Sequence, residues 1–352
     1  MNKNRGLIDF LFRISGIAAA LLFTSLVLLV ARANPLEAFA NIFMGVVSTP
    51  IKIADTIVAW VPLILTTCGL VIAFTAGLMN IGIEGQIMLG AIMTTGALRL
   101  LQDSGLPPAV IILAGFLAGV AGGVIWALLV GALKFYGGVS EIFAGLGLNF
   151  IATALSLWLI FGPWKRAGVA SMSGTAPFDA ALWLPMFQGF RLSPWSLSLA
   201  IISIVVVFIL MKFTVVGLRL KAVGKNTRAA IQMGISPSKY MLLSFILCGV
   251  FAGLTGAVQV LGVYHRLIPS ISSGYGFLGL LVAMLVDYQI IWAVPVALLF
   301  AALNIGGIQL PIMMKLDSTL SGVMQSSLVF FFLIMGGVRK KLQRKEEKPS
   351  NE

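Results

Sequence analysis

Three polar side chains stand close together in an otherwise apolar stretch, and they are the first residues that could do chemistry. Asn80, Glu84 and Gln86 fall within seven residues with no Lys or Arg nearby, and four glycines are spread over Gly77 to Gly90. Glycine permits a break in a helix, and a break at membrane depth survives only where protein or a water-lined cavity satisfies the freed backbone groups. The segment is therefore a candidate polar lining for a solute.

Glu84 has two interpretations. An ionisable group in the middle of a membrane helix costs about 2.5–3.5 kcal/mol on insertion scales, so its side chain is expected to face the interior of a bundle. There it would either bond the free N–H groups of a helix N-terminus at the break or touch a substrate or gate directly. The sequence leaves open whether this hinge lies at the cytoplasmic surface or within the bilayer.

Other polar residues occur inside apolar stretches. Most such residues are hydrogen-bond partners between helices rather than ligands. Two of them, Asn149 and Asn304, are added to Asn80, Glu84 and Gln86 as the predicted substrate path.

A second informative segment is basic. Residues 212–239 carry six Lys or Arg residues and no Asp or Glu, and they lie between two long apolar runs. A short helix is predicted around Asn226 to Ile235. Because the rest of the chain is nearly all apolar, a helix there has to contact something soluble, such as a partner protein.

The elements that must position these residues are transmembrane helices. The 352 residues are 59% hydrophobic and 10% charged, with a mean hydropathy of +1.03, which indicates a polytopic membrane protein. We predict an all-α bundle of about ten spans forming one domain over 1–352. The apolar stretches fall near 14–31, 57–76, 83–101, 109–133, 142–161, 194–213, 240–263, 274–291, 293–310 and 323–338.

Ten spans place both termini on one side. Under that count, sixteen of the 24 Lys and Arg residues lie on the inner side, which predicts cytoplasmic termini, a cytoplasmic loop over 212–239 and a cytoplasmic tail over 339–352. An outer loop is predicted over 162–193, as a candidate docking surface for an external protein. The first apolar run is longer than a signal-peptide core, so an uncleaved first span is expected.

The inventory of reactive residues excludes several functions. The single histidine, His265, cannot build a histidine-based metal site or a catalytic triad. The sequence around Gly224-Lys225 does not match a P-loop, because Arg219 stands at the first glycine position and Asn226 at the Ser or Thr position. No cofactor or metal is expected in this chain, and the net charge of +12, which falls mostly in short loops and tails, does not point to nucleic acid.

With these segments identified, the chain resembles a permease subunit of bacterial ABC importers. It is similar to the branch with ribose, branched-chain amino acid and nucleoside permeases, which implies a type II-like permease fold. The segment Leu78 to Gln86 resembles that branch's F/L-N-I-G-x-E-G-Q motif. The resemblance also suggests a segment that couples the permease to an ATPase, with Arg228 in place of a common acidic residue; it comprises Gly224, Asn226, Ala229, Ala230, Gly234 and Ile235.

The resemblance is strongest to the longer of two paired nucleoside permeases. It is carried by Gly274 to Leu285, by Ala302 to Gly307 and by Asn34 to Ala38. It implies a bacterial inner-membrane protein that works by alternating access. Its implied partners are a cytoplasmic ABC ATPase with two nucleotide-binding modules that holds ATP and Mg, a second and different permease, and an extracytoplasmic substrate-binding lipoprotein.

Alternatives remain open. Relatives that carry riboflavin or a simple sugar are a different choice of substrate within the same class. An ion-coupled secondary transporter that uses Glu84 as its proton or cation site is a different class. It would explain the polar hinge but not the acid-free loop over 212–239, and a passive channel would explain neither.

Overall fold

The structure is a computed structural model that describes residues 3–166, 168, 173–317 and 319–346. Within these ranges the chain is helical and has no strand, so the predicted all-α class is confirmed. A 3-10 turn at Ala180–Leu182 and a π-helical turn at Gln259–Tyr264 complete the regular structure. The α-helices are α1 (Lys3–Val30), α2 (Pro35–Val47), α3 (Pro50–Thr75), α4 (Ile83–Leu101), α5 (Pro108–Phe135), α6 (Glu141–Phe161), α7 (Pro194–Phe213), α8 (Val215–Lys225), α9 (Thr227–Gln232), α10 (Pro237–Val258), α11 (Tyr275–Leu285), α12 (Ile290–Gly307), α13 (Gln309–Met314) and α14 (Thr319–Glu346).

Fewer helices than predicted have the length and composition of a membrane span. Six qualify among the described residues, or seven if the bent pair α1 and α2 counts as one span, so the ten predicted spans are not confirmed. The apolar part of α1 meets α2 at an angle of 110°. Arg32 adopts a left-handed φ of 58° at this corner, and the side chain of Asn34 caps the first turn of α2.

One predicted helix is too long. The apolar run over 274–291 was expected to cross the membrane as one helix, but α11 spans only eleven residues. It ends because Asp287 and Tyr288 take left-handed φ values of 47° and 63°, which an α-helix does not accommodate. Hydropathy alone did not reveal this turn because the residues on both sides of it are apolar.

The described helices group into two compact units, residues 1–56 with 299–352 and residues 57–298. In the first unit α1 packs along α14, where the hydroxyls of Thr24 and Ser327 lie 3.0 Å apart, and α2 packs against α13. A small apolar core fills this unit around Leu28, Ile42 and Leu310.

The second unit is built on close contacts of α5 with α4 and α10. A Cβ atom on Gly123 would overlap the carbonyl oxygen of Gly249, and one on Gly253 would overlap that of Gly119. Gly90 of α4 faces the same Gly253. These close contacts through glycines hold α4 tightly against two neighbours.

Candidate functional site

The polar segment lies at a break between α3 and α4. The chain leaves α3 through Gly77, whose φ of 80° lies in the left-handed region, and α4 begins six residues later. At this point Gly77 lies against Gly224 of α8, and a Cβ on Gly224 would overlap the carbonyl oxygen of Thr75. The break therefore starts in direct backbone contact with the predicted coupling segment.

The break then enters the bundle. The Asn80 side chain donates to the Cys248 sulfur at 3.1 Å, and both residues are fully buried. Cys248 lies eleven residues after Pro237, which is about 16 Å along α10 at 1.5 Å per residue. The hinge thus runs from the end beside α8 into the interior of the helix bundle. Its level relative to the bilayer stays a prediction.

Two of the predicted path residues form hydrogen bonds with each other. The amides of Asn80 and Gln86 exchange two hydrogen bonds of 3.2 Å, and neither side chain is exposed. This reciprocal pair ties the middle of the break to the first turn of α4. Because a buried amide left without a partner costs about 1–3 kcal/mol, the pair stabilises this conformation.

A third predicted residue holds the other side of the break. The Asn149 side chain on α6 accepts a hydrogen bond from the Gly85 N–H at 2.8 Å and donates to the Ile81 carbonyl at 3.0 Å. It therefore satisfies one free donor of the α4 N-terminus and one acceptor of the non-helical segment.

Glu84 faces a second helix N-terminus. The Ser272 hydroxyl and the backbone N–H groups of Gly274, Gly276 and Phe277 surround its carboxyl group. A Cβ on Gly276 would overlap the Glu84 carboxylate, so α11 begins directly against this side chain. The geometry resembles the first of the two interpretations, but the N–H groups belong to α11 rather than to α4.

The arrangement places one acidic group between two helix N-termini. Partial positive charge accumulates at both, which favours a carboxylate at this position. Although the surrounding donors lie close to the carboxyl group, the Oε2 atom of Glu84 meets none of them with hydrogen-bond geometry. The indole N–H of Trp126 is likewise buried without a partner within the described residues. Polar capacity is therefore left over at the break, as a polar solute or an ordered water would require.

Four of the five predicted path residues are brought together around the break. The fifth, Asn304, lies half-buried on the part of α12 that belongs to the other unit. Contact of any of the five with a substrate stays a prediction. Sequence reasoning missed Ser272 and Trp126 as neighbours of this site, and no local pattern around either residue marks it.

The coupling segment consists of two short helices. The side chain of Asn226 caps α9 by accepting from the Ala229 N–H at 3.1 Å, and Ala230 is buried beneath the helix. Gly234 ends it with a φ of 75°, and the Ile235 N–H donates to the Ala230 carbonyl at 2.9 Å. The predicted helix is present, although it has only six residues.

Two large apolar side chains of this segment are exposed. Ile231 is 59% exposed and Met233 is 77% exposed. These two side chains are free to contact another protein within the described structure. Docking of an ATPase there stays a prediction.

Part of the predicted outer loop packs against the segment around His265. The Thr175 N–H donates to the Leu267 carbonyl at 2.9 Å, and the Trp183 ring stacks on His265 with centroids 3.9 Å apart. Burial lowers the pKa of His265, which keeps the stacked ring neutral at neutral pH. Three basic side chains of the loop are exposed, as contact with an external protein would require, namely Lys165, Arg166 and Arg191.

Helices long and apolar enough to span a membrane, a buried polar break and a short helical segment in contact with that break are features of a membrane transport subunit. Residues 52–335 match the family described as branched-chain amino acid transport system / permease component, and the chain belongs to this family. It is a multi-pass permease, and the resemblance inferred from the motifs is confirmed.

Relatives with assigned names cover most of the chain. The glucose ABC transporter permease protein TsgB13 of Haloferax volcanii is 30% identical over 90% of this chain and 85% of its own length. The guanosine ABC transporter permease protein NupP of Bacillus subtilis is 25% identical, over 95% and 97%. The nucleoside ABC transporter permease protein NupB of Lactococcus lactis is 28% identical, over 87% and 85%.

Proposed function

We propose that this chain is a permease subunit of an ATP-driven ABC importer that carries nucleosides by alternating access. Membership of the permease family and the named relatives support the class. Two of those relatives are named for guanosine or nucleosides, and both are similar over most of their length. The motifs around Gly274 and Gly306 favour the same substrate class.

The observation that carries the mechanism is the backbone contact between Gly224 and Gly77. A rigid movement of α8 and α9 would act directly on the end of α3, where the polar break begins. The break in turn holds the start of α4 and Glu84, which faces α11. Because packed elements switch between discrete arrangements, movement of the coupling segment would reorient α4 and α11 together.

The proposed partners supply what this chain lacks. A cytoplasmic ABC ATPase with two nucleotide-binding modules would bind the α9 surface and hold ATP and Mg. A second, different permease would complete the pathway; this proposal is supported by the similarity of the chain to both NupP and NupQ of Bacillus subtilis. An extracytoplasmic lipoprotein would deliver the substrate to a bacterial inner-membrane complex with ten spans and cytoplasmic termini.

A sugar is the second candidate substrate, because the relative TsgB13 is named a glucose permease. Riboflavin is a further alternative within the class. A nucleoside offers a ribose and a base edge for hydrogen bonds as well as a flat apolar face, whereas a simple sugar offers hydroxyls alone. A second nucleoside, which carries an aromatic base, should therefore compete for uptake by a nucleoside importer but not by a sugar importer.

The experiment is uptake by membrane vesicles that contain the complete set of subunits. With ATP inside, labelled guanosine should accumulate, and excess unlabelled uridine or glucose shows which chemistry competes. Removal of ATP should abolish uptake, and a protonophore should leave it intact. Uptake that needs a proton gradient but no ATP would overturn the class, whereas competition by glucose alone would overturn only the substrate.

A further inference from the structure

A cleft in the second unit lies outside the polar break. It has a volume of about 710 Å³ and opens between the last turn of α3, the corner between α7 and α8, and the turn that precedes α12. Its apolar wall is formed by Val71, Phe74, Phe208, Met211 and Ile290.

Three lysines line this cleft. Lys221 donates to the Met211 carbonyl at 2.5 Å, and the Lys212 ammonium lies 5.2 Å from the centre of the Phe208 ring. Lys225 is exposed. None of the three forms an ion pair within the part of the chain that the structure describes, and each ammonium carries three donors. The cleft therefore presents positive charge with hydrogen-bonding capacity to spare.

The rim of the cleft is aromatic and apolar. Trp292 is 60% exposed, and Tyr288 and Ile291 are exposed beside it. Trp and Tyr are enriched where membrane helices meet the headgroup region, and lysines at the same level attract anionic lipids. A free anion would need only the lysines, whereas an apolar wall next to them suits a molecule with a charged head and an apolar tail.

We propose that this cleft binds an anionic phospholipid. Its phosphate would lie among Lys212, Lys221 and Lys225, and an acyl chain would follow the apolar wall between α7 and α12. Asp287 is the acidic side chain among the lining residues, and it weakens the attraction for a phosphate from the opposite side. Occupancy would brace Thr75 and Gly224, which line the cleft and also form the contact at the start of the break.

The test uses the full-length chain, purified with the subunits that stay bound to it and placed in bilayers of equal parts phosphatidylglycerol and phosphatidylcholine. Native mass spectrometry then measures which lipid is retained. Phosphatidylglycerol should be retained preferentially. The double variant Lys212→Gln/Lys225→Gln should bind it about 25-fold more weakly, since each lysine near a membrane surface contributes about a factor of five.

The matched control is Lys239→Gln/Lys315→Gln, which removes the same charge from exposed sites outside the cleft. It should retain the lipid as the unchanged protein does. If the lysine variant fails to fold, Asp287→Asn provides an independent measurement. Asparagine tolerates the left-handed φ at this position, and loss of the negative charge should strengthen phosphatidylglycerol binding about fivefold.

Several results would overturn the proposal. One is equal retention of phosphatidylglycerol by the cleft variant and the control, and another is equal retention of both lipids by the unchanged protein. Displacement of the lipid by millimolar inorganic phosphate would assign the lysines to a free anion. A photo-crosslinker at Ile291 that captures another protein subunit instead of lipid would show that protein covers the cleft.

Discussion

At the residue scale, two glycines at the start of the break face each other. Gly77 has a left-handed φ and contacts Gly224, which has no room for a side chain. A glycine pair of this kind allows two backbones to touch, so movement passes between them without the slack of flexible side chains. The residue types at this contact are therefore part of the proposed coupling.

Substitution of Gly224 by alanine tests that contact. The new methyl group would overlap the Thr75 carbonyl, and overpacking of this kind costs about 1–3 kcal/mol. We expect uptake to fall about tenfold in the vesicle assay while the chain still inserts into the membrane. Gly147→Ala on α6, which has open space around it, should transport normally. Normal uptake by Gly224→Ala would remove the contact from the mechanism.

A separate prediction concerns Asn149, whose role in the observed geometry is structural. Asn149→Ala removes the partners of the buried Gly85 N–H and the half-buried Ile81 carbonyl, at about 1–3 kcal/mol for a fully buried unsatisfied group. The melting temperature in detergent should fall by several degrees. The same change at exposed Gln188 should leave it unaltered. An unchanged melting temperature for the Asn149 variant would contradict this role.

At the element scale, the site is made by two helices whose N-termini meet. The first turn of α4 carries Glu84, and α11 begins with Gly276 packed against its carboxylate. Discontinuous helices whose N-termini converge inside a membrane protein are typical of transport sites, where the helix dipoles favour negative charge. The start of α11 at Tyr275 is therefore part of the site, because it brings the helix N-terminus against the Glu84 carboxylate.

Gly276→Ala should separate these two helices. Its methyl group has no space beside the Glu84 carboxylate and backbone, so α11 would have to shift. We expect a large loss of uptake with the coupling segment still able to bind an ATPase, which copurification measures. The control Gly96→Ala sits within α4 with only ordinary contacts and should keep both properties. Full uptake by Gly276→Ala would exclude α11 from the pathway.

At the scale of the whole molecule, the main untested prediction is which side of the membrane each loop occupies. The outer loop and the coupling segment are predicted to lie on opposite sides of the membrane. In intact cells, a membrane-impermeant maleimide should label Gln188→Cys but should label Ser238→Cys only after permeabilisation. Background is low because Cys68 and Cys248 are both buried. Labelling of both variants in intact cells would refute the predicted sides.

Several structural features of this protein could be predicted from short stretches of its sequence. Long apolar runs require helices because backbone groups in lipid must bond within their own segment, which is why the all-α class and most helix positions follow from composition. The α9 helix could also be predicted, since Asn226 is a typical N-cap and Gly234 a typical C-terminal glycine for a short helix. The polar break was visible because Asn80, Glu84 and Gln86 stand out against apolar neighbours.

Tertiary structure decided which partners these residues take. Hydropathy along the chain could not show that α11 starts against Glu84, because that contact joins segments about 190 residues apart in sequence. Nor could it show that Asn149 serves the α4 N-terminus, or that Gly224 touches Gly77. The sequence alone shows that a polar side chain within an apolar run needs a hydrogen-bond partner inside the bundle. Which partner it finds depends on how distant helices pack, and that depends on the volumes of side chains on several faces at once.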